Sequence, residues 1–181
     1  MKGVVFTEFL RMVEQRFGFE VADRIVTENE LPSGGVYTSV GTYDSAEMGR
    51  LIGALGKTSG MDAEDLQEAF GRYLFPRFAE GYPDLVQGVS DPLAFLASIE
   101  DHIHVEVRKL YPDAELPRFE TRFEGPDRIV MTYHSKRRMG HFALGLIKAC
   151  GEHFGTDLDV RTERVEADGT VMRFHVSHPG A

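Results

Sequence analysis

The segment from Asp91 to Pro112 constrains the fold more than any other part of the chain. Asp91-Pro92 opens a helix, because the aspartate can accept from the first free N–H groups and a proline in the first position gives up no bond. Pro112 stops it. At about 100° per residue, Leu93, Leu96, Ile99, Ile103, Val107 and Leu110 fall on one apolar stripe, so this helix is expected to lie on a core. His104 lies at the margin of that stripe, and His102 projects from the opposite side. Two readings of His104 are open. It is either a neutral core histidine bonded to a carbonyl or a ligand, since neutral imidazole is the commonest metal ligand. The His102-x-His104 pair is a weak zinc signal, because residues two apart do not share a helix face and no cysteine stands nearby.

The next informative stretch is Arg128-Ile129-Val130-Met131-Thr132-Tyr133-His134-Ser135-Lys136-Arg137-Arg138-Met139. Its first half is β-prone, and strand alternation places Tyr133, Ser135 and Arg137 on one face. A phenol, a hydroxyl and a guanidinium pointing one way make a site for one or two carboxylates, because arginine grips carboxylate through two parallel N–H bonds. Taken alone, the same pattern also describes a polar, solvated strand face. Joined to a core-facing histidine it suggests haem, with imidazole for the iron and Tyr133, Ser135 and Arg137 for the propionates.

These residues carry a family resemblance. The Met1-Lys2-Gly3 start, the His104 to Tyr111-Pro112 spacing, Pro117, Tyr133-x-Ser135-x-Arg137 and the Gly145-Leu146-Ile147 helix resemble a haem–nitric oxide/oxygen binding (H-NOX) domain. This is the sensor module also found in soluble guanylate cyclases, and the likeness runs over essentially the whole chain, with stand-alone bacterial members as the nearest type. It implies haem b, protoporphyrin IX iron, with His104 as the proximal ligand and Tyr133, Ser135 and Arg137 on the propionates. Pro117 then matches the proline that packs on the haem and distorts it. Val5, Phe9 and Phe78 match distal-side positions, and Phe142 and Leu146 complete the pocket.

Taken in order, 181 residues suit one domain, or two lobes sharing a core, and leave room for a large prosthetic group. A formal charge of −9 argues against nucleic acid or an anionic membrane as partner. The single cysteine, Cys150, rules out an internal disulfide framework, suits a reducing compartment and is expected to be a buried small hydrophobe. Met1-Lys2 leads into an amphipathic helix rather than a signal peptide, and no apolar run approaches transmembrane length, so a cytoplasmic protein is expected.

Helices are expected over 3–17, 20–29, 44–56 and from Asp62 onward, the third with Asp44 as cap and Glu47 completing a capping box. Pro76 is expected to kink the fourth. The aromatics Phe70, Tyr73, Phe75, Phe78 and Tyr82 line either an ordinary core or a flat cofactor. Strands are expected over 119–123, 128–134, 157–166 and 170–177, with a helix over 140–154. The fold class is α+β: a helical N-terminal lobe of residues 1–60, then residues 61–181 with helices packed on a four-stranded antiparallel sheet, and haem between the lobes.

The resemblance also bears on ligand choice. Oxygen-holding members place a tyrosine on the helix after the Tyr-x-Ser-x-Arg element, and Phe142 stands at that position here. Phenylalanine offers no donor to bound O₂, whereas NO and CO depend on one far less. The expectation is therefore a sensor of NO, and of CO, that excludes O₂ and is not an enzyme. Neighbouring His141 points about 100° away from Phe142 on a helix. NO opposite His104 would weaken the iron–histidine bond and shift one lobe against the other. The chain has no room for an output domain, so the expected partner is a separate protein such as a histidine kinase or a cyclic-di-GMP enzyme. The competing readings are an O₂-binding or haem-carrier protein of the same fold, an apo interaction module, and an enzyme. The last would use Glu106 or Asp101 beside His102, without a nucleophile nearby.

Overall fold

The computed structural model describes residues 1–180. The chain divides within one helix into two compact units, Met1–Phe70 and Gly71 onward. In the first, α1 (Gly3–Phe17), α2 (Phe19–Thr27) and α3 (Ser45–Ser59) precede α4 (Ala63–Gly81), in which the division falls. Gly18, at φ 90°, lets the chain break between α1 and α2, and Gly60, at φ 74°, closes α3 in the left-handed conformation that costs glycine least. The apolar spacing of α1 buries Phe6, Phe9, Met12 and Val13 completely, and that of α3 buries Met48, Leu51 and Leu55.

Asp44 caps α3, its carboxylate accepting from the Ala46 N–H. Glu47 does not close the expected capping box on the Asp44 N–H but turns its carboxylate to the preceding loop. It is 2% exposed, and its Oε2 accepts from the Ser33 N–H, the Ser33 hydroxyl and the Tyr37 hydroxyl. A buried carboxylate is tolerated only when its lone pairs are filled in this way, so Glu47 fastens the loop before α3. Tyr37 stacks on Phe6, and burial, the largest cause, pushes its hydroxyl up to about 12.

The second unit holds the rest of α4, which continues through an exposed Pro76 to Gly81. It also holds α5 (Pro92–Ala97), a π-type turn (Ile99–Ile103), α6 (His104–Leu110) and α7 (Gly140–His153). Its strands are β1 (Arg118–Phe123), β2 (Arg128–His134), β3 (Asp159–Arg164) and β4 (Val171–Ser177), in the order β1-β2-β4-β3 and antiparallel throughout. The α+β class and the four-stranded antiparallel sheet are those expected. Alternation along β2 and β4 buries Ile129, Met131, Tyr133, Met172, Phe174 and Val176 on one face, in one core with Leu93 and Leu96 of α5 and Leu144, Ile147 and Cys150 of α7. Cys150 is fully buried, and desolvation pushes its thiol far up, as an inert core residue requires. Gly71 brings α4 against α7. A Cβ there would collide with the Phe142 carbonyl oxygen and lie 2.7 Å from Leu146 N and 2.9 Å from Gly145 Cα.

The helix around His104 departs from the uniform stripe. Asp91 caps it as expected, accepting from the N–H groups of Leu93 and Ala94. Leu93 and Leu96 are buried, but Leu110 is 53% exposed. The π turn between α5 and α6 explains this, since each residue there advances less than 100° and every later side chain falls out of phase with α5. None of the helices is long and apolar enough to cross a membrane, among the described residues.

Gly3 offers a direct test of the first unit. Its N–H bonds the Gly41 carbonyl at 2.8 Å, and a Cβ would strike the Thr38 carbonyl oxygen, a backbone atom with nowhere cheap to go. Gly3→Ala is expected to cost about 1–3 kcal/mol, as overpacking does, read as a lower denaturant midpoint with unchanged slope.

Candidate haem site

His104 begins α6 where the π turn ends. The N–H groups of His102 and Ile103 both go to the Ser98 carbonyl, at 2.8 and 3.3 Å, and the His104 N–H reaches the Ile99 carbonyl. The turn carries the His104 ring inward, where it is 8% exposed, and leaves His102 in solvent. Nδ1 of His104 lies 2.9 Å from Oε1 of Glu100, which also accepts the Phe119 N–H at 2.8 Å. Burial holds the imidazole below its ordinary pKa, against the upward pull of the Glu100 charge and hydrogen bond. The ring is therefore neutral near pH 7, the form that ligates metal. With its proton on Nδ1, facing the carboxylate, the lone pair falls on Nε2.

Phe119 links this ring to the second group. Its ring centroid is 6.1 Å from that of His104 and 5.6 Å from that of Tyr133, its partner across the β1–β2 ladder. Tyr133 is 3% exposed, and its hydroxyl oxygen accepts the Met139 N–H at 3.2 Å. Burial raises its pKa, with hydrogen bonding to Ser135 acting the other way. It remains a phenol able to donate.

Ser135 and Arg137 are not strand residues, contrary to the alternation argument. β2 ends at His134, and the chain turns to enter α7. The Ser135 hydroxyl accepts the Arg137 N–H at 3.2 Å, and Arg138 takes φ 56°, unusual for a residue with a side chain. The turn still gathers the three groups, since Ser135 bonds Tyr133 through its side chain and Arg137 through its backbone. The Arg137 side chain is only 16% exposed and meets the Glu115 carboxylate at 3.3 Å, while Glu115 is 88% exposed. A guanidinium so placed already accepts a carboxylate, and the partner it has is a loosely held surface acid.

The remaining expected residues lie as follows. Pro117 is half-buried just before β1, Phe78 is half-buried on α4 with its ring 6.2 Å from that of Tyr82, and Phe142 and Leu146 are half-buried on α7. Val5 and Phe9 belong to the other unit, Val5 half-buried and Phe9 fully buried edge-on to Phe70 at 5.1 Å. Two residues escaped the sequence reading. Glu100 stands four before His104, the spacing at which helix side chains meet, and Phe119 lies on the same sheet face as Tyr133. Glu106, weighed as an acid–base candidate, instead pairs with Lys109 at 2.6 Å. Among the described residues no group of three His, Cys, Asp or Glu side chains could hold a bare metal ion.

The donor set fits an iron porphyrin: one buried neutral imidazole, with a phenol, a hydroxyl and a guanidinium reaching for carboxylates. A family model described as Haem-NO-binding matches residues 2–162. The chain belongs to that family.

Solved H-NOX structures agree. An Fe(II) unliganded H-NOX protein from K. algicida is 43% identical, with TM-score 0.96, over 100% of this chain and 98% of that one. An H-NOX protein from S. oneidensis in the Fe(II)NO ligation state is 26% identical, with TM-score 0.90, over 99% of this chain and all of that one (100%). A curated relative, the soluble guanylate cyclase gcy-35 of Caenorhabditis elegans, is 24% identical over 141 residues, 76% of this chain. The chain spans only 20% of that relative's length. The H-NOX family is one of haem-binding gas sensors.

Tyr133→Phe tests the hydroxyl as a structural anchor. It leaves the buried Met139 N–H without its acceptor, so a loss of about 1–3 kcal/mol is expected, measured by denaturant unfolding. An unchanged midpoint would mean that Met139 finds another partner.

Proposed function

We propose that the chain senses nitric oxide through a ferrous haem b held by His104, takes CO as well, and excludes O₂. One observation carries this reading: His104 is buried and neutral, with Nδ1 committed to Glu100 and Nε2 left as its ligand atom. Tyr133, Ser135 and Arg137 hold the two propionates, the first two through hydroxyl donors and Arg137 through its guanidinium in place of Glu115. Pro117 would pack on the porphyrin, and Val5, Phe9, Phe78, Phe142 and Leu146 are the proposed pocket residues. When bound, the haem would supply a ferrous iron able to take a diatomic gas.

Ligand choice follows from Phe142. Its side chain has no hydrogen-bond donor, so it gives bound O₂ none of the polar stabilisation that NO and CO do without. The solved H-NOX relatives that carry Fe(II), in one case as Fe(II)NO, support the iron and the gas. His104 is the moving part. If gas binding loosened the hold of the haem on His104, α6 would be freed, giving a bistable element biased by ligand. We read the chain as one sensor domain, residues 1–60 distal and 61–181 proximal, without catalysis of its own. It acts in the cytoplasm on a separate protein, such as a histidine kinase or a cyclic-di-GMP enzyme. The charge of −9 speaks against nucleic acid.

The absorption spectrum of the purified, reduced protein is the first test. A Soret band that moves with NO and CO but not with air is expected. A stable complex in air would turn the reading toward oxygen binding, and no band after adding haem would leave His104 a core histidine. His104→Gly is expected to lose the axial bond and regain it with added imidazole, whereas a parent-like spectrum in that variant would remove His104 from the site. Phe142→Tyr is expected to improve O₂ binding, measured as a slower loss of O₂, and no gain would refute the single-donor argument.

A further inference from the structure

The Glu100 carboxylate stands one helical turn before His104 and bonds two partners. A single oxygen, Oε1, receives the Phe119 N–H at 2.8 Å and faces His104 Nδ1 at 2.9 Å. The Phe119 amide can only donate, so Oε1 is an acceptor there, and the nitrogen on its other side must bring the proton. The nearby carbonyls are already engaged: Ser98 O by the N–H groups of His102 and Ile103, and Ile99 O by the N–H of His104. The side chain of Glu100 is 28% exposed, that of His104 10%. The bond therefore sits largely out of water, where a charge-assisted hydrogen bond keeps its strength.

We propose that Glu100 is the positioning residue of the axial ligand: it fixes the His104 tautomer and ring plane, and ties that ring to β1 through Phe119. The inference rests on His104 ligating iron. A ligating histidine whose second nitrogen donates to a carboxylate has its orientation set and its basicity raised. Glu100 thus strengthens the bond that NO must loosen, and sets how readily the sensor switches. The second anchor gives a direction to the motion. Because the same oxygen holds the backbone of Phe119, a displacement of the His104 ring pulls on the start of β1, whose Phe119 pairs with Tyr133. Signal from the ligand thereby reaches the strand that ends at the propionate-binding turn.

The test separates this role from simple structural support. In haem-loaded His104→Gly, the axial position is filled from solution with imidazole, which keeps an N–H for Glu100, or with 1-methylimidazole, which has none. Imidazole is expected to bind more tightly by about tenfold or more, the usual effect of an outer-shell partner. That preference should vanish in His104→Gly/Glu100→Ala and persist in part in His104→Gly/Glu100→Gln, whose amide oxygen still accepts. With His104 intact, Glu100→Ala is expected to lower the iron–histidine stretching frequency in the resonance Raman spectrum and to raise the five-coordinate share of the NO complex. A ligand preference unaffected by Glu100, or a loss equal for both imidazoles, would overturn the positioning role while leaving His104 as ligand. His104→Gly that holds haem with a parent-like axial bond would overturn the ligand assignment, and this proposal with it.

Discussion

The burial of one sheet face beneath α5 and α7 is the constraint on which the site depends. Met131, Phe174 and Val176 are fully buried there, and each such side chain contributes roughly 1.5–3 kcal/mol. Tyr133 stands in the same row, one alternation on from Met131, so the core fixes its Cα and ring before its hydroxyl does anything. A single hydrogen bond is worth about 1 kcal/mol net. The bond to Met139 therefore orients the phenol, while apolar packing places it. The same accounting applies to Phe119, which faces Tyr133 across the ladder and brings the sheet within reach of His104.

The π turn solves a conflict on the helical side. α5 must bury Leu93 and Leu96 against the sheet, and α6 must aim His104 inward a few residues later. A regular helix would make both angles follow from one phase. The wider turn uncouples them, at the cost of wetting apolar surface beyond it: Val105 is 40% exposed and Leu110 53%. Turns of this type cluster at functional sites, and here the one in α5–α6 spans the very residues that hold the ring, with Glu100 inside it and His104 at its edge.

Much of this was legible in the sequence, for identifiable reasons. Asp91-Pro92 named a helix start because a cap and a proline have few other uses together. The strands around Gly125 and Gly169 were legible from alternation, and both glycines take positive φ at their turns. His104 was legible as inward because it is close to the α5 stripe. What failed was the assumption of one constant period. Leu110 followed the stripe on paper but not in space, and the alternation argument was carried on to Ser135 and Arg137, past the expected and observed strand end at His134. The four-residue spacing of Glu100 and His104 is a local signal that went unused, whereas the contact of Glu100 with the Phe119 amide comes from a distant strand and no local pattern encodes it. Glu47 shows the same limit, since its capping position is local but its three donors come from residues 33 and 37.

The electrostatics of the second unit favour one kind of occupant. Arg137 carries a cation that is mostly shielded from water, yet its partner Glu115 is almost wholly exposed. A pair with one member so exposed contributes about 0–1 kcal/mol, too little to resist a carboxylate that arrives already desolvated and able to make two parallel bonds. His104, by contrast, is held neutral by burial and offers a nitrogen lone pair without charge. A bare metal cation would find no group of three His, Cys, Asp or Glu side chains here, among the described residues. A small carboxylic acid would use Arg137, Tyr133 and Ser135 but leave His104 idle. A flat metal chelate with carboxylates at its edge would use both, and that division of labour between a neutral ligand and a cationic clamp is what the proposed function draws on.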